Sequence, residues 1–281
     1  ELGLARVVVS AGAERSAAQR FAAEADIAFA TEDRLALEVA DTPLDEHWDQ
    51  QWGPARVGLP EAREISRGSA SVVIAVVDTG VNYNHWDLRE QMWVNPGESE
   101  VDPLTGLRTC VGGIAENGVD DDGNGYADDC RGYDFVMDGG DPLDQHGHGT
   151  FVSGIAGAAT NNRGSHIDGA YEGIAGMGGA ARLMPVRVMD AAGLGSAFDI
   201  AAGVRYAALN GASVINLSLA FRSAPSAEDI TMLCAATDLA QAREVAVVGA
   251  SGNGSSLTTV SYPAACPGVI AVGASAADDT R

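Results

Sequence analysis

Two stretches of the chain set acid–base groups among glycines. One is Asp78-Thr-Gly80, and the other, well downstream, is Asp144-Gln-His-Gly-His-Gly-Thr150. The second runs into Phe151-Val-Ser-Gly-Ile-Ala-Gly157, a small-residue apolar stretch that reads as a helix. A histidine in the first turn of a helix faces backbone N–H groups without intrahelical partners, which favour its neutral, proton-accepting form. A carboxylate within reach would fix its tautomer and stabilise the imidazolium formed when it takes a proton. Other chemistry is open to the same residues. His146 and His148 with Asp144 would supply metal ligands, and a lone Asp-Thr-Gly most often caps a turn.

A second set of oxygen donors lies between these stretches, in "NGVDDDGNGYADDC" from Asn117 to Cys130. Asp120, Asp122 and Asn124 recur at every second position, Gly125 supplies a sharp turn and Tyr126 offers a carbonyl, as in the first half of a calcium loop. The twelfth position holds Arg131 where a bidentate Glu would close the shell, so Asp128 or Asp129 must do so. Ca2+ is therefore the expected ion, against the alternative of a solvated acidic loop.

The elements that must position these groups are strands and helices in alternation. Apolar β-branched runs occur at 72–77, 183–188, 214–217, 245–248 and 269–272, with helix patterns near 149–160, 197–210 and 227–243. Continuous rather than alternating apolar strands argue for a parallel sheet buried on both faces, an α/β fold. In such sheets sites collect at the carboxyl ends of the strands. Ahead of this body, residues 1–40 read as strand (6–10), helix (about 14–26) and strand (35–39), too small to bury a core alone. Residues 41–60 read as an extended linker, leaving 61–281 as the main domain.

Composition narrows the partners. The 281 residues carry 39 acidic and 17 basic side chains for a net charge of −22, and every basic residue is Arg. Phosphate backbones need a positive surface, so no nucleic-acid partner is expected. No long apolar run predicts a membrane span. The start at Glu1, without an initiator methionine, predicts an upstream segment. Four cysteines allow three connectivities, of which Cys110–Cys130 and Cys234–Cys266 is the simplest, and they point to an oxidising compartment.

These pieces together resemble the subtilisin-like serine proteases, the subtilases of peptidase family S8. The resemblance rests on "VVIAVVDTGV" around Asp78, "HGTFVSGIAG" from His148, "INLSL" from Ile215, "VVGASGNG" from Val247 and "SYPAACPGVIAVGA" from Ser261, in the family's order over about 45–281. It implies a subtilisin-like parallel sheet flanked by helices and hydrolysis of protein or peptide substrates through an acyl-enzyme. Asp78 would be the orienting acid, His148 the base and Asn253 the oxyanion donor. Gly193, Leu194 and Gly195, with Ser218, Leu219 and Ala220, would be the two edges that pair with substrate backbone. His146 becomes a preceding loop residue. The resemblance further implies a secreted monomer, and residues 1–40 as part of a propeptide that is the chain's own partner until cleaved.

The sequence departs from the family at one decisive point. The nucleophile's Gly-Thr-Ser-Met-Ala motif is absent, and the only Gly-Thr is Gly149-Thr150. The expectation is a C-terminally truncated peptidase domain whose serine lies beyond Arg281, the chain as given being nearly inert. The competing expectation is an inactive module that binds peptide and calcium. Phe151, Asn82, Trp86 and Ala220 are smaller departures, and Gly176-Met-Gly-Gly179 fails the strand-to-helix context of a phosphate loop.

Overall fold

The computed structural model describes residues 16, 19, 20, 23, 42–162, 173–221, 223–253 and 260–278. The chain divides into two compact units, Glu1–Ala40 and Asp41–Arg281. In the first, Ser16, Gln19 and Arg20 are helical, and the rest of the strand–helix–strand expected there lies outside the described residues.

The second unit begins with a correction. Residues 41–60 are not an extended linker but belong to the larger unit. They carry a 3-10 turn at Trp48–Gln50, helix α1 (Trp52–Arg56) and the start of α2 (Leu59–Ile65). Pro54 and Pro60, which suggested a linker, sit in the early turns of these helices, where a missing N–H costs nothing.

Strand β1 (Val73–Asp78) follows, then the short antiparallel pair β2 (Glu100–Val101) and β3 (Arg108–Thr109), and β4 (Tyr133–Asp134). The remaining elements alternate: α3 (His148–Gly157), β5 (Arg182–Arg187), α4 (Ala197–Leu209), β6 (Val214–Leu217), α5 (Ala227–Ala242), β7 (Ala246–Ala250) and β8 (Ile270–Val272). Six strands form one sheet in the order β4-β5-β1-β6-β7-β8, and every neighbouring pair is parallel. This is the α/β architecture expected.

Side chains alternate across a strand, and β1 shows what that does for the site. Val73, Ala75 and Val77 join the core shared with α4 and α5, through Val204, Ala207, Leu233 and Ala236. Val76 faces the other layer, with Leu88, Ala158 and Leu183, and Ile74, Val152 and Ala156 pack around it. Asp78 continues the Ile74–Val76 register, so its carboxylate emerges on the face covered by α3. Ser196 caps α4 by accepting from Asp199 N–H, and Ser226 and Asp229 form a reciprocal capping box on α5. Both disulfides form in the simplest pairing, Cys110–Cys130 and Cys234–Cys266. Among the described residues, no helix is long and apolar enough to cross a membrane.

Gly203 in α4 lets that helix lie close on the sheet. A Cβ there would stand 2.5 Å from Val188 Cγ1, 3.0 Å from Val186 Cγ1 and 3.3 Å from Val77 Cγ1. Glycine-to-alanine in an open helix gains up to about 1 kcal/mol, whereas overpacking a stiff core costs about 1–3 kcal/mol. Gly203→Ala is therefore expected to lower stability by about 1–2 kcal/mol. Urea unfolding monitored by circular dichroism measures this, and an unchanged or raised midpoint would show that the layer yields.

Candidate active site

The end of β1 and the start of α3 meet through side chains 70 residues apart. His148 Nδ1 lies 2.7 Å from Asp78 Oδ1 and 3.0 Å from Oδ2. Asp78 is fully buried, and the His148 side chain is 41% exposed. A carboxylate that also accepts from Thr79 N–H at 2.7 Å leaves the ring one sensible role. With Nδ1–H donating to Asp78, a neutral ring would present its lone pair at Nε2. Burial pushes the Asp78 carboxyl above its ordinary range, while the His148 and Thr79 hydrogen bonds pull against that shift.

Local sequence explains why the histidine sits there. The N-cap of α3 is Gly147 with φ 103° and no side chain to cap the helix. Caps come from outside. Gly149 N–H donates to Thr79 Oγ1 at 2.9 Å, and Thr150 N–H donates to Asp144 Oδ2 at 3.0 Å. The Thr79 hydroxyl donates to Asp144 Oδ1 at 2.9 Å, and the Thr150 hydroxyl donates to Asp144 Oδ2 at 2.6 Å. Asp144 Oδ1 also takes the N–H groups of His146 and Gly147. A Cβ on Gly149 would collide with the Gly80 carbonyl oxygen and press on the Asp78 side chain. Only glycine permits this approach.

Among the described residues, His146 and His148 do not join a group of three side chains that could hold a metal ion. The His146 ring centroid is 6.4 Å from that of His148, edge to face. A Cβ on Gly193 would lie 3.2 Å from His146 Nε2. Gly193, Leu194 and Gly195 follow β5 in a turn closed by Asp190 N–H donating to Leu194 O at 2.8 Å. Ser218, Leu219 and Ala220 follow β6, and Asn253 is exposed just past β7. Because β5 and β6 flank β1 and β7 pairs with β6, all in parallel, these residues follow the same carboxyl edge of the sheet as Asp78.

The acidic insert is built differently from the predicted loop. The carboxylates that converge are Asp122 and Asp129 with Glu98, offering oxygens within 4.8 Å of one another, the one such group of three among the described residues. Asp120 is turned onto the N–H groups of Gly123, Asn124 and Gly125, and Asp128 onto those of Asn117 and Gly118. Asn124 directs its amide to Asp122 and Asp129. The Tyr126 ring packs on Tyr133, Phe135 and Tyr206. Glu98 is wholly buried, and its Oε2 has no hydrogen-bond partner. Burial holds both Glu98 and Asp129 above the ordinary carboxylate range. Sequence reasoning missed Glu98, which lies outside the Asp-rich stretch.

It also missed Asp45 and Asp87. Both are almost fully buried, and burial raises both, Asp45 further through the charge of Asp87. Asp87 accepts from Asn162 Nδ2 and Ile174 N–H. Asp45 Oδ2 and Asn162 Oδ1 are buried without partners.

Comparison with known proteins agrees with this architecture. The Subtilase family, peptidase S8, matches residues 69–280. A thermophilic serine proteinase of Bacillus sp. (strain AK1) is 36% identical over 244 residues, covering 86% of this chain and 48% of that protein. Thermitase of Thermoactinomyces vulgaris is 33% identical over 241 residues, 85% of this chain and 68% of that protein. The halolysin-like extracellular serine protease Nep of Natrialba magadii is 33% identical over 199 residues, 70% of this chain and 29% of that protein. The chain thus spans about half the length of the first of these relatives.

Asp144 gives this geometry a test. Burial pushes its carboxyl up, but the hydrogen bonds from Gly147, Thr150 and His146 together hold it below the ordinary range. A group depressed on folding contributes stability above its unfolded pKa, lost as pH falls through the folded one. Asp144→Ala is expected to cost about 1–2 kcal/mol at neutral pH. The difference should narrow below the ordinary carboxylate range, as read from thermal melts across pH. A difference that stays constant into acid would show that the charge of Asp144 is not what caps α3.

Proposed function

The chain belongs to the subtilase family, and from that premise we propose that it forms most of the catalytic domain of a secreted serine endopeptidase. The observation that carries the reading is the Asp78–His148 pair: a buried carboxylate on Nδ1, with the ring otherwise open to solvent. No serine of the 281 residues lies in a Gly-Thr-Ser-Met-Ala setting. The nucleophile is therefore assigned to sequence following Arg281. Two cystines and the extracellular relative support an extracytoplasmic location.

In this mechanism His148 Nε2 takes the proton from the serine hydroxyl as its oxygen attacks the peptide carbonyl carbon. Asp78 keeps Nδ1 protonated and stabilises the imidazolium. Asn253 donates its side-chain amide to the developing oxyanion. His148 then gives its proton to the leaving amine as the C–N bond breaks, and a water activated the same way hydrolyses the ester. Extended substrate backbone would lie between Gly193–Gly195 and Ser218–Ala220, as a strand added to the sheet edge.

Calcium fits two places. Glu98, Asp122 and Asp129 would hold one ion, whose charge would offset three crowded carboxylates and engage the unpartnered Glu98 Oε2. Asp45 and Asn162 would hold another through their partnerless oxygens, beside the carboxylate of Asp87. The ion's contribution is charge neutralisation and rigidity. Residues 1–40 are assigned as the propeptide-like segment, in keeping with their separation as a compact unit.

Expressing the coding sequence through its natural stop tests the reaction. A fluorophosphonate should label one serine beyond Arg281, located by mass spectrometry. His148→Ala should lower kcat on the order of 10^6-fold and Asp78→Ala on the order of 10^4-fold, magnitudes known for triads of this type. A protein that binds peptide, resists the label and cleaves nothing would support the inactive binding module instead.

Calcium is tested by stability. Carboxyls raised on folding stabilise only below their unfolded pKa and withdraw that contribution as pH rises through the folded one. The calcium-free chain is expected to lose stability as pH climbs above the ordinary carboxylate range. Calcium at 100 times the Kd of the Glu98 site should add about 2.7 kcal/mol through that site, and this share should be lost in Glu98→Gln/Asp122→Asn. A melting temperature that calcium leaves unmoved at neutral pH would remove both sites.

A further inference from the structure

The chain carries 17 basic residues against 39 acidic ones, so a guanidinium has many carboxylates to choose from. Arg187 behaves accordingly, pairing with Asp134 at 2.6 Å in the core. Three others do not. Arg89, Arg108 and Arg131 line one cavity of about 240 Å3, with Tyr83, Met92 and Cys110 among its other walls. None of the three makes an ion pair with a described residue.

Two of them are fixed by neutral groups instead. Arg108 Nη1 donates to Pro96 O at 3.0 Å, Ser99 O at 3.1 Å and Ser99 Oγ at 3.2 Å. Arg131 Nη1 donates to Cys110 O at 3.1 Å, and its guanidinium lies 4.9 Å from the Tyr83 ring centroid. The Cys110–Cys130 bridge ties Arg131 to the strand that carries Arg108. Each of these two Arg side chains keeps further N–H donors, and Arg89 has all of its own unspent among the described residues. Asp141, beside Tyr83, accepts from the Tyr83 hydroxyl and makes no ion pair with any of the three.

We propose that this cavity is an anion site that takes one small oxyanion, a phosphate or carboxylate group, held between Arg89, Arg108 and Arg131. Planar guanidiniums match such oxyanions through paired N–H donors. Holding two forks in place before binding lowers the entropy that a ligand must overcome. Concentrated positive charge in an otherwise acidic surface also directs anions to this point. The site is independent of the His148 chemistry and stands whether or not the chain cleaves peptides.

The test is a titration of the whole chain, with micromolar calcium, followed by 1H–15N spectra of the arginine Nε–H groups. Inorganic phosphate is compared with sodium chloride at equal ionic strength. Phosphate in the millimolar range should shift the Arg89, Arg108 and Arg131 signals in a saturable way, with chloride producing no saturation. Arg89→Ala removes no side-chain hydrogen bond to a described residue and should weaken phosphate binding at least tenfold while the melting temperature holds. Arg131→Lys, which keeps charge but lacks the fork, should also weaken it. A glutamate-bearing tetrapeptide against its glutamine twin then separates a peptide carboxylate from a free anion as the source, either of which fits the site. Shifts no larger than those from chloride, or undiminished phosphate binding in Arg89→Ala, would overturn the proposal.

Discussion

The Asp78–His148 hydrogen bond is the constraint around which the surrounding chain is arranged. A carboxylate with no exposed surface is costly to keep charged unless donors surround it. Two N–H groups answer that cost: Thr79's own backbone and the ring nitrogen of His148. The first is local and follows from the turn after β1. The second must be delivered across 70 residues, so the first turn of α3 has to be anchored against the end of β1. Gly149 removes the Cβ that would strike the Gly80 carbonyl, Gly80 removes one that would strike the Pro142–Asp144 backbone leading into α3, and Thr79 and Asp144 bind the segments together. Tight packing and polar satisfaction thus serve the same contact.

The same accounting governs the acidic insert. Tyr206 OH, from α4, donates to Asp129 at 2.7 Å, and Asn95 Nδ2 donates to both Asp129 and Asp122. These donors satisfy some lone pairs but not the charge, which is why Glu98 and Asp129 stay raised. A cation supplies what neutral donors cannot. Because Tyr206 is fully buried against the main core, the proposed ion would brace the α4 layer and not merely order a surface loop.

Much of the fold is legible in the chain, for a definite reason. Strands such as 73–78 and 214–217 are buried on both faces, so they read as unbroken apolar runs whose ends carry the turn residues. Strand β4, two residues long, has no such run, and Tyr133-Asp134 is indistinguishable from loop. The helices within 41–60 were hidden by Pro54 and Pro60, which sit in early turns where proline is tolerated. In the site, Asp78 and His148 were legible because each abuts a glycine-bearing turn with little freedom to vary. Glu98, Asp45 and Asp87 were not, because their significance is made by three-dimensional convergence. Spacing within the Asp-rich stretch pointed to Asp120 and Asp128, whose carboxylates fold back on nearby N–H groups, a short-range competition that alternate spacing alone does not reveal.

A parallel sheet assigns its polar residues to one edge without regard to chain order. The spatial sequence β5, β1, β6, β7 brings Gly193–Gly195, Asp78, Ser218–Ala220 and Asn253 side by side, although they are far apart along the chain. Asp78 inherits its position from hydrogen-bonded strand register, and the others from the turns that follow β5, β6 and β7. His148 is the exception. It is the proposed catalytic group carried by a helix rather than a strand end, and its helix begins at a glycine that caps nothing. The dense hydrogen bonding of Thr79, Asp144 and Thr150 is concentrated at that point because the sheet does not fix it. The base must hold its nitrogen to within the reach of one hydrogen bond, so the least constrained element of the edge carries the most local polar support.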